Sequence, residues 1–334
     1  MIMQFTIRRA ECEEDWDFFY RLGFETLKTL RKTFYDQLVK DNPGKSESEL
    51  LVAHRKETED YFDFDDSKAR VFIAKNDDDI RCGYLWMGER NSEDYWDLQR
   101  PQWIYDIVVD PKFRGNGLGK VLMRKAEEFA LEVHRSIGLF VHADNTPAFN
   151  LYKREGYIIK DTPMSKKVAD ELPGPASDRY AVREKEDADA TVLHQLGLAS
   201  YARMVRLSKD APDEMISEKY DEYLGKLKDI ERAQVTYVVE TEGAVVGFVR
   251  AGVSGFNEKV GMVYDAAIAP EHTNRDLVRG LLSRVMAWCK GHELSTLYYL
   301  LHAQDDISQQ VLQDLGFIVP GFFMEKDLVR TVPE

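Results

Sequence analysis

The sequence predicts a mixed α/β protein built twice over, as two tandem units that each carry a mixed, mostly antiparallel sheet flanked by helices. Two observations carry this reading. The same motifs occur in the same order on both sides of a Pro- and Gly-bearing stretch, the signature of a duplicated unit. Each set also runs from a hairpin pattern into a nearly continuous apolar strand, then a turn and a helix.

Phe5-Thr6-Ile7-Arg8 matches Tyr180-Ala181-Val182-Arg183, and an acidic helical stretch follows each. Val71 to Lys75 and Ile80 to Trp86 flank the polar turn Asn76 to Asp79 and read as a hairpin, matched by Tyr237-Val238-Val239 and Gly247-Phe248-Val249. Ile104 to Val109 is apolar enough for a central strand covered on both faces, and its counterpart is Val263 to Ile268. From Leu118 the apolar residues Val121, Leu122, Ala126, Phe129, Ala130 and Val133 recur at helical spacing. Gly138 to Ala143 is a short strand, and Asn145 or Thr146 caps the next helix with Pro147 in its first turn. Glu155-Gly156-Tyr157 and Met164-Ser165-Lys166 close the first unit as Leu315-Gly316-Phe317 and Met324-Glu325-Lys326 close the second. Between them, residues 160–178 read as connecting chain, which places the units at 1–168 and 179–334 with a linker at 169–178.

A length of 334 residues suits two domains, and 44% hydrophobic with 31% charged residues describes globular cores. The net charge of −14 argues against nucleic-acid and anionic membrane partners, which need a basic face. No apolar run is long enough to span a bilayer, the first nine residues lack a signal-peptide plan, and Cys12, Cys82 and Cys289 form no framework, so a cytoplasmic setting is expected. The seven histidines show no metal-binding spacing, and no metal is expected.

The chemistry is concentrated in Asp110-Pro111-Lys112-Phe113-Arg114-Gly115-Asn116-Gly117-Leu118-Gly119-Lys120. Three alternating glycines open an amphipathic helix, where tight turning and unpaired N–H groups favour an anion. Arg114, Lys120, Arg124 and Lys125 crowd the positive end of the helix dipole, a conflict that a bound phosphate relieves. The spacing fits neither GxxxxGK[ST] nor GxGxxG.

These residues resemble the GNAT superfamily of acetyl-CoA-dependent N-acyltransferases. Ile107-Val108-Val109, Pro111 and Arg114-Gly115-Asn116-Gly117-Leu118-Gly119 look like its acyl-CoA motif; Asn145, Ala148, Leu151, Tyr152, Gly156 and Tyr157 look like its downstream block. The resemblance covers residues 3 to about 168. It implies that the loop N–H groups, with Lys120, hold the CoA pyrophosphate. It implies further that the backbone of Ile107 to Val109 pairs with pantetheine, that Asn145 bonds the pantetheine arm, and that Tyr152 hydrogen-bonds or protonates the leaving sulfur. Packing with Ala148 and Leu151 is the alternative for Tyr152.

The implied activity is direct acetyl transfer to an amine, with acetyl-CoA as co-substrate. The amine is expected to be a small molecule, with a protein N-terminus or lysine as alternatives. A thiol-biosynthesis acyltransferase of the mycothiol-synthase type and a non-catalytic acyl-CoA sensor stand as rival readings, and the chain is a monomer or homodimer. An alkylammonium must lose a proton before attack, and Glu89, Tyr105, Asp106 and His142 are the candidate bases. Strand alternation is expected to put Tyr105 and Asp106 on opposite faces. Glu89 to Trp103, with Tyr20, Phe24, Phe34, Tyr35, Tyr61, Phe62 and Phe64, could receive a cationic acceptor, or these rings pack the sheet.

The second unit has lost these signals. Thr273, Asn274, Asp276 and Val278 stand where Arg114, Gly115, Gly117 and Gly119 stand in the first, while Asp305 replaces Asn145 and Leu312 replaces Tyr152. It reads as a degenerate acyltransferase-like domain.

Overall fold

A computed structural model of the chain describes residues 3–61, 69–89, 102–133, 136–168, 179–208, 211–228, 231–255, 257–302 and 306–328. The first half runs β1 (Phe5–Arg9), α1 (Glu13–Leu30), α2 (Lys32–Asp41), α3 (Glu47–Tyr61), β2 (Ala69–Asn76), β3 (Arg81–Glu89), β4 (Gln102–Val109), α4 (Leu118–Val133), β5 (Ser136–His142), α5 (Thr146–Arg154) and β6 (Ile158–Lys167). The second runs β7 (Ala181–Glu184), α6 (Ala190–Ser208), α7 (Asp213–Lys228), β8 (Gln234–Thr241), β9 (Ala244–Val253), β10 (Val260–Ile268), α8 (Arg275–Gly291), β11 (Thr296–His302), α9 (Asp306–Asp314) and β12 (Gly321–Asp327).

Local chemistry sets these elements. Asn76 closes the β2–β3 turn, its Oδ1 accepting from the N–H groups of Asp78 (3.1 Å) and Ile80 (2.8 Å). Glu242 and Gly243, both at positive φ, make the tight β8–β9 turn. The two halves repeat one joint between first strand and first helix. Arg8 grips Asp15 at 2.5 and 3.0 Å, and Arg183 grips Asp189 at 2.7 and 2.9 Å. Both carboxylates are buried, so each guanidinium supplies the pairing that a buried charge requires.

The strands form one sheet in the order β1-β2-β3-β4-β5-β12-β6-β11-β10-β9-β8-β7. The final strands are exchanged. β12 lies antiparallel to β5, from Gly321 opposite His142 to Asp327 opposite Ser136, while β6 lies antiparallel to β11. The exchanged strands also pair with each other, Met324 opposite Ile159. Met324 is thereby buried in the core of the first half, and Met164 in that of the second. Residues 160–167, expected to belong to connecting chain, are strand; residues 169–178 lie outside the described residues.

The first half has two layers on its part of the sheet. Leu118, Leu122, Ala126 and Ala130 of α4 pack with Leu85, Ile104, Ile137 and Leu139 on one face. On the other, Phe18, Phe19 and Leu22 of α1 meet Val71, Ile73, Tyr84 and Val108. Tyr20 and Phe24 are buried, as packing requires. Phe34 is 57% exposed, and the side chains of Tyr61, Phe62 and Phe64 lie outside the described residues.

The exchange depends on close backbone approach. A Cβ on Gly321 would stand 2.3 Å from the Val141 carbonyl oxygen and 2.4 Å from the Phe140 ring. Gly321→Ala is therefore expected to cost about 2 kcal/mol or more through overpacking. Calorimetry should show Tm falling by roughly 4 °C or more; an unchanged Tm would contradict this seam.

Candidate active site

β4 and β5 are parallel neighbours for only three residue pairs, Gln102–Ile137, Trp103–Gly138 and Ile104–Leu139. Beyond Ile104 they part. β4 stays paired with β3 as far as Val109 opposite Gly83, whereas β5 continues to His142 against β12. Asp106 to Val109 thus have no register partner on the β5 side, and a wedge opens between the strands.

A bulge sits where they part. Trp86 pairs with Asp106 and Met87 with Ile104, so Tyr105 is the extra residue. The bulge overturns the expected alternation. Tyr105 stacks on Trp86 at 5.2 Å, its hydroxyl donating to the Glu89 carbonyl, and Asp106 accepts from the Tyr84 hydroxyl at 2.7 Å. Trp86 and Tyr84 both belong to the α1 face, so Tyr105 and Asp106 share it. After the bulge the alternation resumes, with Ile107 and Val109 toward α4 and Val108 toward α1.

Asp106 is fully engaged. Its second oxygen takes the Arg31 guanidinium at 2.7 Å, from the junction of α1 and α2. Gly23 clears the space for this contact, since the Tyr84 hydroxyl lies only 3.1 Å from the place a Cβ would take. One bond on each oxygen ties Asp106 to the α1 layer as an anchor. Glu89 is exposed at the strand end, and residues 90–101 lie outside the described residues.

The glycine loop closes the wedge at the end of β4. Asp110 accepts from the Lys112 N–H at 2.9 Å, and a single turn of tight helix follows at Pro111–Phe113. Gly115 and Gly117 both have φ near +81°, the left-handed region, and no atom lies within 4 Å of a Cβ built on either. Backbone conformation, not crowding, demands glycine there. Asn116 draws the Phe113 carbonyl to its side chain at 3.1 Å, and Arg114 Nε bonds the Val109 carbonyl at 3.2 Å. Among the described residues, the N–H groups of residues 115–119 meet no backbone carbonyl. Leu118 is buried as the first core residue of α4, and Gly119 lies against Leu151 of α5. Lys120 pairs with Glu155 at 2.9 Å, which anchors α4 to α5, and Lys125 pairs with Glu128, so the expected crowding of four cations is partly neutralised within the chain.

Asn145 caps α5, its Oδ1 accepting from the Ala148 N–H at 3.3 Å, which leaves Nδ2 as the donor for a ligand. Tyr152 lies two helical turns beyond Asn145, half-buried, with its ring 6.0 Å from that of Tyr157. Burial first, then the negative charge of Asp106, pushes its phenol up to about 12, while Arg31 opposes. His142 lies on the opposite face of β5 from Ile137, Leu139 and Val141, 5.1 Å from the Phe140 ring and 6.1 Å from that of Phe34. Two contributors escaped the sequence reading. Arg31 carried no motif, and His54 is a half-buried ring on α3, 5.9 Å from Phe24, whose pKa is lowered by burial and by Arg31.

The second half keeps the frame and loses the loop. β10 and β11 part after Val263–Tyr299, Tyr264 is the bulge residue, and buried Asp265 accepts from Tyr220 at 2.8 Å. Its helix start, however, is built as an ordinary capped one. Asn274 caps α8 by accepting from the Leu277 N–H at 3.0 Å, and no residue from 273 to 278 has positive φ. Leu312, in place of Tyr152, is fully buried; Asp305 lies outside the described residues.

Residues 31–157 and 201–317 both match the family model described as Acetyltransferase (GNAT) family. The chain belongs to this family. Streptothricin acetyltransferase of Streptomyces lavendulae is 36% identical over 102 residues, 30% of this chain and 50% of that protein. A mycothiol acetyltransferase of Rothia mucilaginosa is 33% identical over 95 residues, 26% of this chain and 27% of that protein. An uncharacterized N-acetyltransferase of Methanocaldococcus jannaschii is 44% identical over 59 residues, 17% of this chain and 26% of that protein, so the chain spans a quarter to a half of these relatives. Among solved structures, a GCN5-related N-acetyltransferase from Sphaerobacter thermophilus superposes with a TM-score of 0.58 over 97% of this chain and 95% of that one, at 16% identity. That likeness extends the shared fold over both halves. No helix among the described residues is long and apolar enough to cross a membrane.

Replacing Asp106 by Asn leaves the Arg31 charge without its partner beside the wedge. Asp106→Asn is expected to destabilise the chain by about 1 kcal/mol, since Arg31 keeps contact with solvent and the amide can still accept from Tyr84. Urea unfolding reads this directly, and a loss below about 0.5 kcal/mol would show that the anchor contributes little.

Proposed function

We propose that the chain is an acetyl-CoA-dependent N-acetyltransferase whose first half, residues 1–168, holds the co-substrate and transfers the acetyl group. Residues 169–178 then join it to a second half, 179–334, that has given up the reaction. One observation carries the reading: the wedge beside β4 ends at a helix start that two positive-φ glycines, Gly115 and Gly117, turn open, and among the described residues the matching start in the second half has no positive φ and carries Asp276 instead.

The residues present fit the co-substrate. Positive-φ Gly115 and Gly117 turn the N–H groups of the α4 start outward, a cradle for pyrophosphate next to the helix dipole. Ile107 and the Val109 N–H offer strand backbone on the wedge side to an amide-bearing pantetheine arm, Val108 between them being turned to β3, and Asn145 Nδ2 offers a donor from the far wall. Acetyl-CoA supplies an activated thioester, whose carbonyl carbon the amine attacks as the C–S bond breaks.

Tyr152 stabilises the departing sulfur. A phenol near 12 stays protonated at neutral pH, so its O–H is always available as a donor. Full proton transfer to a thiolate, whose thiol titrates ordinarily near ~8.5, is uphill by roughly 3 units. The magnitude favours a hydrogen bond to sulfur over outright protonation, with the Arg31 charge easing the build-up of anion.

The amine acceptor is to be sought among small amines, with streptothricin and the mycothiol system, named for two relatives, in the first round. Peptide N-termini and lysine complete the screen. Titration calorimetry should find one acetyl-CoA site per chain, lost in Gly117→Asp, which brings both a side chain at positive φ and a negative charge. No binding by the unaltered chain would end this reading; two sites would return a role to the second half. Tyr152→Phe is expected to slow CoA release at least ~10-fold with an active amine while acetyl-CoA binding persists. Binding without release of CoA to any amine would identify a sensor.

A further inference from the structure

We propose that His142 is the group that takes the proton from the acceptor amine, and that the amine enters from the α1/α2 side of the sheet. This rests on the acetyltransferase reading and assigns the base that reading leaves open.

The two faces of the wedge differ. The glycine cradle and Tyr152 belong to α4 and α5, on the face of Ile137, Leu139 and Val141. The opposite face carries Asp106, the Arg31 guanidinium and the β5 residues Phe140 and His142. The first turn of α2 spans the gap, for Arg31 holds Asp106 on β4 while Phe34, three residues later, lies against His142 on β5. A thioester held from the α4 side therefore meets an amine arriving under α2, and His142 is the β5 side chain at that meeting point.

Of the other candidate bases, Glu89 stands exposed at the far end of β3, beyond Gly88 opposite Trp103, where β4 and β5 are still paired, and two are engaged. Both Asp106 oxygens are bonded, and the Tyr105 hydroxyl donates to the Glu89 carbonyl. Neither ring nitrogen of His142 has a hydrogen-bond partner among the described residues, and neither is an enclosed orphan, so a nitrogen is open to a ligand. The charged groups facing the ring are Arg31 from the α1–α2 junction, Asp106 from β4 and Asp144 beyond β5; Gly321 opposes it on β12. Burial first, then Arg31, lowers its pKa, with Asp144 and Asp106 in opposition, so the ring is neutral and basic at pH 7.

The balance is simple. One proton of the ammonium passes to the imidazole and on to solvent; the freed lone pair attacks the thioester carbonyl carbon, and as the C–S bond breaks the second proton that nitrogen gives up goes to the departing sulfur. Products are the acetamide, CoA and one proton.

Kinetics of purified full-length chain decide it, with acetyl-CoA and whichever of spermidine, glucosamine and a free-N-terminus peptide turns over, followed by CoA release. Unaltered protein should show kcat/KM falling below a pKa under 6.5. His142→Gln should lose ~100-fold or more in kcat/KM and lose that acidic limb, with acetyl-CoA affinity by calorimetry unchanged. His54→Gln should keep the limb. Loss of less than ~5-fold in His142→Gln, or transfer of the limb's dependence to His54, overturns the assignment. So does an unaltered chain that binds acetyl-CoA and acetylates none of these amines, although the co-substrate reading then survives. Failure to bind acetyl-CoA overturns both.

Discussion

The site depends on β4 ceasing to pair with β5 after Ile104. A sheet interior normally spends every backbone donor and acceptor on its neighbours, and leaving a run of them without partners is costly unless something else pairs with them. Here the parting is enforced. The extra residue at Tyr105 bends β4, and Tyr84 and Arg31 pin the following Asp106 to the α1 layer. β12 draws β5 the other way by pairing along its whole length. The wedge is thus held open from both sides, and the glycine turn places the start of α4 at its mouth.

Comparison of the halves separates what the fold needs from what a ligand needs. Both keep the Arg–Asp joint, the bulge and the parting strands. The bulge aspartate is served differently: Tyr84 of β3 in the first half, Tyr220 of α7 in the second, each beside a helix glycine, Gly23 or Gly197. The same buried carboxylate has been satisfied by two routes, which marks it as part of the frame. The loop has changed in kind, because an asparagine cap that takes the Leu277 N–H stands where the first half has its positive-φ glycines. The second half still serves the first through β12, whose Gly321 and Phe323 lie against Phe140.

Much of this was legible because it is local. Hairpin, central strand, glycine loop, Asn145 cap and duplication all follow from patterns a few residues long. The exchange of β6 and β12 was not, since Met164 and Met324 suit either partner equally and an apolar strand does not name its neighbour. The bulge was missed because a single inserted residue leaves the alternation of Ile104 to Val109 looking regular. Arg31 and His54 became visible only when α1, α2 and α3 were laid over the bulge, more than fifty residues away in the chain for Asp106 and Arg31. At Tyr152 the motif gave the position, and only the structure shows the burial that holds its phenol protonated.

The central claim is that unpaired β4 backbone and unspent α4 N–H groups receive one ligand. Amide hydrogen exchange with and without saturating acetyl-CoA tests it most directly. The account predicts new protection at Ile107, Val109 and Gly115 to Gly119, with none at the matching positions 266, 268 and 274–278. Protection confined to the second half, or absent from β4 and the glycine loop when acetyl-CoA is bound, would contradict it.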